Sequence, residues 1–223
     1  MIPSRFLAAR SIAGPAGMAL LYFATAATTV HFSRFSGGVA MIWVSSALLS
    51  GYLLTAGRRV WPLTIALCAF ASFVATGFFG FGWRVAAQLA LVNVGEALMA
   101  AIMLKRIFDA YWPGDTLEWL AGYYLGIGLA VPMISGLAAL AVTGMVLEID
   151  PGSNFVHWMI GHAVGLLTFL PFTISLSYAV HNGQPLLPDN RRLVAVLAVV
   201  AMTVLTAVVF SQPNRPLMLF PVL

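Results

Sequence analysis

The sequence predicts an all-α fold: a polytopic transmembrane bundle of seven complete helical spans and the start of an eighth, with the N-terminus in the cytoplasm. Three observations carry this. Of 223 residues, 61% are hydrophobic and 8% are charged, where a soluble domain carries about 25% charged residues. So little charge cannot cover a water-facing surface, and lipid must take its place. The apolar residues also fall into runs of roughly 20, the length that crosses a hydrocarbon core about 30 Å thick at about 1.5 Å of rise per residue. Alternating strand patterns are absent, which argues against a β-barrel.

The runs follow one another with short connections. The first, Ser11–Phe32, comes after Arg5 and Arg10. Basic residues ahead of an apolar stretch, with Ala24, Thr25 and Ala26 beyond, resemble a cleavable leader; the run continues to Phe32, which favours a retained span. Gly38–Ala56 is next, closed by the basic turn Gly57–Val60. Trp61–Gly80 contains Cys68, the single cysteine, which can make no intrachain disulfide and reads as a small core residue. Trp83–Leu104 follows. Leu117–Leu147 is long enough to tilt, or to bend at Pro132. Asn154–Tyr178 and Leu193–Ser211 complete the seven.

After Arg215, the apolar stretch Pro216–Leu223 would cover about 12 Å as a helix. It reads as an eighth span that is cut short. The expected unit is therefore one transmembrane domain over residues 1–223, a fragment whose output domain lies beyond it. Short connections make sequential spans antiparallel neighbours. No second domain or internal repeat is visible.

Orientation follows from the basic residues. With the N-terminus inside, Arg5, Arg10, Arg58, Arg59, Lys105, Arg106, Arg191 and Arg192 fall inside, and Arg34, Arg84 and Arg215 fall outside. Eight of the 11 Lys and Arg residues are then cytoplasmic, as the positive-inside rule requires. The net charge of +4 is thus a topology signal. There is no basic stripe with interleaved aromatics, so nucleic acid is excluded as a partner.

The fourth span holds the most polar set within the membrane. Glu96 lies between Gln88 and Asn93 on the helical wheel, so all three are expected on one side. A carboxylate at this depth is expensive and should face the bundle interior, paired or protonated. It is either a ligand-binding or proton-responsive site, or a polar clasp that fixes helix packing.

The sixth span carries His157, Trp158 and His162 and reaches Pro171. Trp158 fits an interfacial anchor. Gly161 and Gly165 form a small-xxx-small pair that permits close helix approach, as Gly122 and Gly126 could in the fifth span. His157 and His162 stand about 140° apart on the wheel, a poor arrangement for one metal ion, and no metal site or cofactor is assigned. The histidines have three readings: pairing with Glu96, titration near neutral pH, or plain packing.

Enzymatic motifs are missing: no Gly-x-Ser-x-Gly elbow, no Walker loop, no His-Glu-x-x-His. Nothing cytoplasmic is large enough to hold an active site, so this region is not expected to be an enzyme.

The order of these features resembles a known family. Trp43 lies on a helix followed by Gly57-Arg58-Arg59-Val60-Trp61-Pro62. Asn93-Val94-Gly95-Glu96 then leads into an apolar stretch ending at Lys105-Arg106. Trp158, Gly161, Gly165 and Pro171 mark the sixth span, and Pro216–Leu223 is like the start of a next helix. Together they resemble the membrane-associated sensor (MASE) domains of bacterial signalling proteins, in the first-described class. Two departures stand out. The chain has Trp43-Val44-Ser45-Ser46 where the family often has a Pro-rich stretch, and His162 near a position where the family often has an acid.

The resemblance implies a sensory input domain in the inner membrane of a bacterium. It passes a periplasmic or intramembrane signal to a cytoplasmic diguanylate cyclase, cyclic-di-GMP phosphodiesterase or histidine kinase, as part of cyclic-di-GMP or two-component signalling. By analogy it implies a homodimer through the output module. The candidate responders to an unknown small ligand or signal are Gln88, Asn93, Glu96, His157, Trp158 and His162. A small-molecule transporter or substrate-binding membrane subunit is the competing reading, and an intramembrane enzyme a more distant one.

Overall fold

A computed structural model of the chain describes residues 13–35, 38–111, 116–148 and 150–182. The chain divides into two compact units, Met1–His181 and Asn182–Leu223. The elements below belong to the first, the last helix ending one residue into the second. The expected seventh span, Leu193–Ser211, and the eighth, Pro216–Leu223, lie outside the described residues, as do Arg5 and Arg10.

The described residues are helical, with one isolated antiparallel bridge between Arg34 and Ala40. In order they form α1 (Ala13–Phe32), α2 (Val44–Thr55), a 3-10 turn (Arg58–Val60), α3 (Trp61–Phe79) and α4 (Trp83–Tyr111). Then comes α5 (Leu117–Gly122), which runs through a π-helical stretch (Tyr123–Ala130) into α6 (Val131–Val146), and finally α7 (Pro151–Asn182). Among the described residues, four stretches are long and apolar enough to cross a membrane: Arg58–Phe79, Trp83–Asp109, Leu117–Val146 and Pro151–Ser177. α1 has 20 residues, but its Gly, Pro and Thr residues dilute its apolar character and it falls outside those four.

The second span differs from the expectation of a continuous Gly38–Ala56 helix. α2 begins only at Val44 and has 12 residues. The chain ahead of it uses its N–H groups elsewhere. Phe35 N–H donates to Val39 O at 2.8 Å, Met41 N–H donates to Ser33 O, and Trp43 N–H donates to Gly161 O on α7 at 2.9 Å. Gly38 takes φ +93° in this stretch, a conformation open to glycine at little cost.

The fourth helix is longer than the expected Trp83–Leu104. It runs to Tyr111, because Lys105 to Tyr111 contains no breaker and Pro113-Gly114 comes only afterwards. In the fifth span, Pro132 acts upstream. A proline ring collides with the carbonyl four residues back and offers it no N–H. Here the preceding turns are widened, and Val131 N–H reaches Gly126 O, five residues back. The π-helical stretch absorbs the mismatch that a kink would otherwise take up.

α1 packs on α2 and α3, α3 on α4, and α4 on α2 and α6. α1 turns Met18, Tyr22, Ala26 and Val30, every fourth residue, into the core. α3 meets its neighbours with small residues, burying Thr64, Cys68, Ala71, Ser72, Ala75 and Thr76. Outward faces carry large apolar side chains such as Leu20, Phe70, Leu91 and Leu137, as a lipid-facing surface should.

Candidate functional site

α4 turns Asn93, Glu96, Ala97 and Ala100 into the bundle, at the i, i+3, i+4, i+7 spacing of one helical face. Glu96 is fully buried. α7 brings Trp158, His162 and Leu166 inward, four residues apart, and α6 brings Ser135; all four are buried. These three helices converge on one carboxylate. His162 Nδ1 lies 2.7 Å from Glu96 Oε2 and 2.8 Å from Oε1. The Ser135 hydroxyl donates to Glu96 Oε2. Trp158 Nε1–H donates to Ser135 Oγ at 3.1 Å.

The imidazole of His162 is held between two indoles. Trp158 stacks on it with ring centroids 4.2 Å apart and planes at 16°, and Trp43 stacks at 5.4 Å and 17°. Trp43 reaches this position because α7 is stripped of side chains there. A Cβ on Gly161 would meet Ala40 O, and one on Gly165 would meet Trp43 O. The two glycines therefore admit the 40–43 backbone against the helix, rather than a second helix.

A second polar chain runs off the first. Trp43 Nε1–H donates to Ser46 Oγ at 3.0 Å, and Asn93 Nδ2 donates to Ser72 Oγ at 3.0 Å. Asn93 Oδ1 is buried and has no hydrogen-bond partner among the described residues. Asn93, His162, Trp43 and Trp158 line a pocket that also touches the turn residues Gly38, Gly80 and Phe81. Its volume is about 20 Å³, room for one water molecule and far below the roughly 300–1,000 Å³ of organic-ligand pockets.

A buried ionisable pair in lipid is costly, and it holds only with good geometry and satisfied hydrogen bonds. Two donors converge on Glu96: His162 Nδ1, shared between both oxygens, and the Ser135 hydroxyl. The arrangement places a carboxylate against an imidazole inside the bundle, with a hydroxyl beside them.

Gln88 does not join this cluster. Its side chain is exposed, as is that of Arg84. At that end α4 buries Val85, Ala86, Leu89 and Ala90, with Asn93 in the middle of that face, and Gln88 lies about 140° from Asn93, outside it. His157 also stands apart: half-buried, it stacks on Phe35 with ring centroids 3.9 Å apart and planes at 5°, and contacts Ser153 Oγ at 3.4 Å. Gly122 and Gly126 face the side chains of Ile107 and Met103 on α4. Pro171 is exposed, inside α7. Ser135, Ser46 and Ser72 were not singled out from the sequence. A lone hydroxyl in an apolar run is the only signal Ser135 and Ser72 give, and Ser46 and Trp43 show only within the Trp43–Ser46 motif.

The chain is 21% identical over 155 residues to the probable diguanylate cyclase DgcE of Escherichia coli (strain K12), covering 69% of this chain and 14% of that protein. The chain thus spans about one seventh of that relative's length. No solved structure matches the chain. The family model for MASE1 matches residues 13–223, and with that match the chain belongs to the MASE1 family of membrane sensor domains.

Proposed function

We propose that this domain is the input half of a bacterial signalling protein whose output half is a diguanylate cyclase, with a phosphodiesterase or histidine kinase as the other output modules of the same kind. The domain itself is not catalytic; it receives a signal from the periplasm or the bilayer and shifts its helix packing. It lies in the inner membrane with the N-terminus and the output module in the cytoplasm, crosses seven times before an eighth helix, and works as a homodimer through the output module. The basic-residue distribution supports the orientation, and the family together with its cyclase relative supports the output.

One observation carries the sensory role. A carboxylate, an imidazole and a hydroxyl from three different helices meet in a fully buried junction. Any signal that alters this junction changes how α4, α6 and α7 fit together. A sensor requires two packings that its signal stabilises unequally, and a chargeable pair at a helix junction supplies a difference between them.

The test is Glu96→Gln in the full-length protein, with cyclic-di-GMP production measured with and without changes of external medium. The expected result is a shift in signal-dependent output of at least about fivefold, the lower end of ordinary allosteric coupling. Output and response equal to wild type would make Glu96 a packing residue and overturn the reading.

A further inference from the structure

We infer that the water-sized pocket is a proton-loading site: it binds one water between Asn93 and His162, and through that water protons from the side of the 38–43 segment and the 80–82 turn charge the buried pair. The inference rests on the sensory reading above and specifies what the site takes.

The geometry divides the imidazole into two ends. Nδ1 faces Glu96. Nε2 is the nitrogen turned from that contact, and His162 lines the pocket whereas Glu96 does not. Asn93 lines the same pocket; its amide nitrogen is held by Ser72, leaving Oδ1 unpartnered and buried. A water there can donate to Asn93 Oδ1 and exchange a proton with Nε2. About 20 Å³ admits a water and excludes an organic ligand. Gly38, Gly80 and Phe81 in the lining set the pocket beside the connections from α1 to α2 and from α3 to α4.

The step balances as follows. In the unloaded state Glu96 is a carboxylate and His162 is neutral, with its proton on Nδ1 and a lone pair on Nε2. A hydronium in the pocket gives its proton to Nε2 and remains as water. The pair goes from one net negative charge to none. The loaded imidazolium lies between the faces of Trp43 and Trp158, where cation–π attraction favours it. Loss of the proton leaves an unbalanced carboxylate in the membrane interior, an expensive state that is relieved by loosening the α4–α7 contact.

Few other groups complicate this. Among the described residues around the pair, α4 presents Glu96, α1 presents the Tyr22 phenol edge-on to Trp43, and α3 presents the buried Cys68. α2 and α6 present hydroxyls only, Ser46 and Ser135. His157 is turned to Phe35.

The experiment reads the site directly and does not depend on an output module. Full-length protein is followed by tryptophan emission in spheroplast membranes and in inverted vesicles, while the bath pH is taken from about 8 to about 5, the range in which an imidazole changes charge. An imidazolium quenches an indole stacked on it. A reversible fall in emission is expected when the bath faces the turn-bearing side. The step should be lost in His162→Gln, and its midpoint shifted in Asn93→Leu, which removes the acceptor while keeping side-chain size. Thermal unfolding of each variant shows that it is folded. A step that survives His162→Gln overturns the inference, as does no step in the wild type. So does a response that follows small organic solutes at constant pH. If the step is present while cyclic-di-GMP output ignores pH, the proton site stands and the sensory reading fails.

Discussion

α4 and α7 meet twice, and the two meetings are built from different materials. At one, Glu96, Ser135, Trp158 and His162 join by hydrogen bonds. At the other, Ala100, Leu104, Ile107, Tyr123, Ile127, Leu166 and Leu170 form an apolar cluster. There the Tyr123 hydroxyl reaches Leu166 O and Leu167 O of α7 at 3.3 and 3.2 Å. In lipid, apolar contact between helices has no hydrophobic drive behind it, so association rests on packing and on hydrogen bonds. The apolar end can only fit or fail to fit. The polar end has a second variable, its protonation, and so the same helix pair carries a fixed end and an adjustable one.

The comparison can be broken most severely at the polar end. Glu96→Leu leaves His162 and Ser135 without their acceptor in a dry site, and removing one partner of a buried pair costs about 3–5 kcal/mol. Unfolding in mixed micelles should show that loss; a cost below about 1 kcal/mol, the scale of a surface ion pair, would mean the pair is well hydrated. Leu104→Ala strikes the apolar end. A buried Leu truncated to Ala costs about 2–4 kcal/mol, so unfolding should be earlier while the acid-induced fall in tryptophan emission keeps its midpoint. A moved midpoint would show that the two ends are not independent. The smallest effect is expected of Tyr123→Phe. Interhelical hydrogen bonds in membranes average about 0.6 kcal/mol, and the same unfolding assay should find a loss of that order.

How far the sequence reveals this arrangement depends on the range of the interaction. Periodicity finds the helices, and an acid within an apolar run marks Glu96 as inward and in need of a partner. The partners are less visible. Ser135 is 39 residues from Glu96 and His162 is 66 away, and no local pattern encodes those separations. Gln88 looked equivalent to Asn93 because the wheel treats a helix as evenly surrounded; the neighbours of α4 end before covering it. Gly161 and Gly165 declare close approach in the sequence but not what approaches, which is an extended segment of backbone. That segment hides because Gly38 to Trp43 is as apolar as the helix it precedes, and hydropathy does not register where N–H groups are used. Pro132 signals a disturbance, yet whether a helix kinks or widens depends on its neighbours.

The shortness of α2 has a consequence for how this protein is made. Twelve helical residues reach about 18 Å, well short of a hydrocarbon core about 30 Å thick. Ser45, Ser46 and Ser50 are buried within it, and Ser50 donates to Ala97 O on α4 at 2.9 Å while Ser45 meets Thr25 on α1 at 3.0 Å. Those partners emerge from the ribosome on both sides of α2, the later one some 47 residues downstream. Until α4 is made, Ser50 lacks the α4 partner it has in the folded domain.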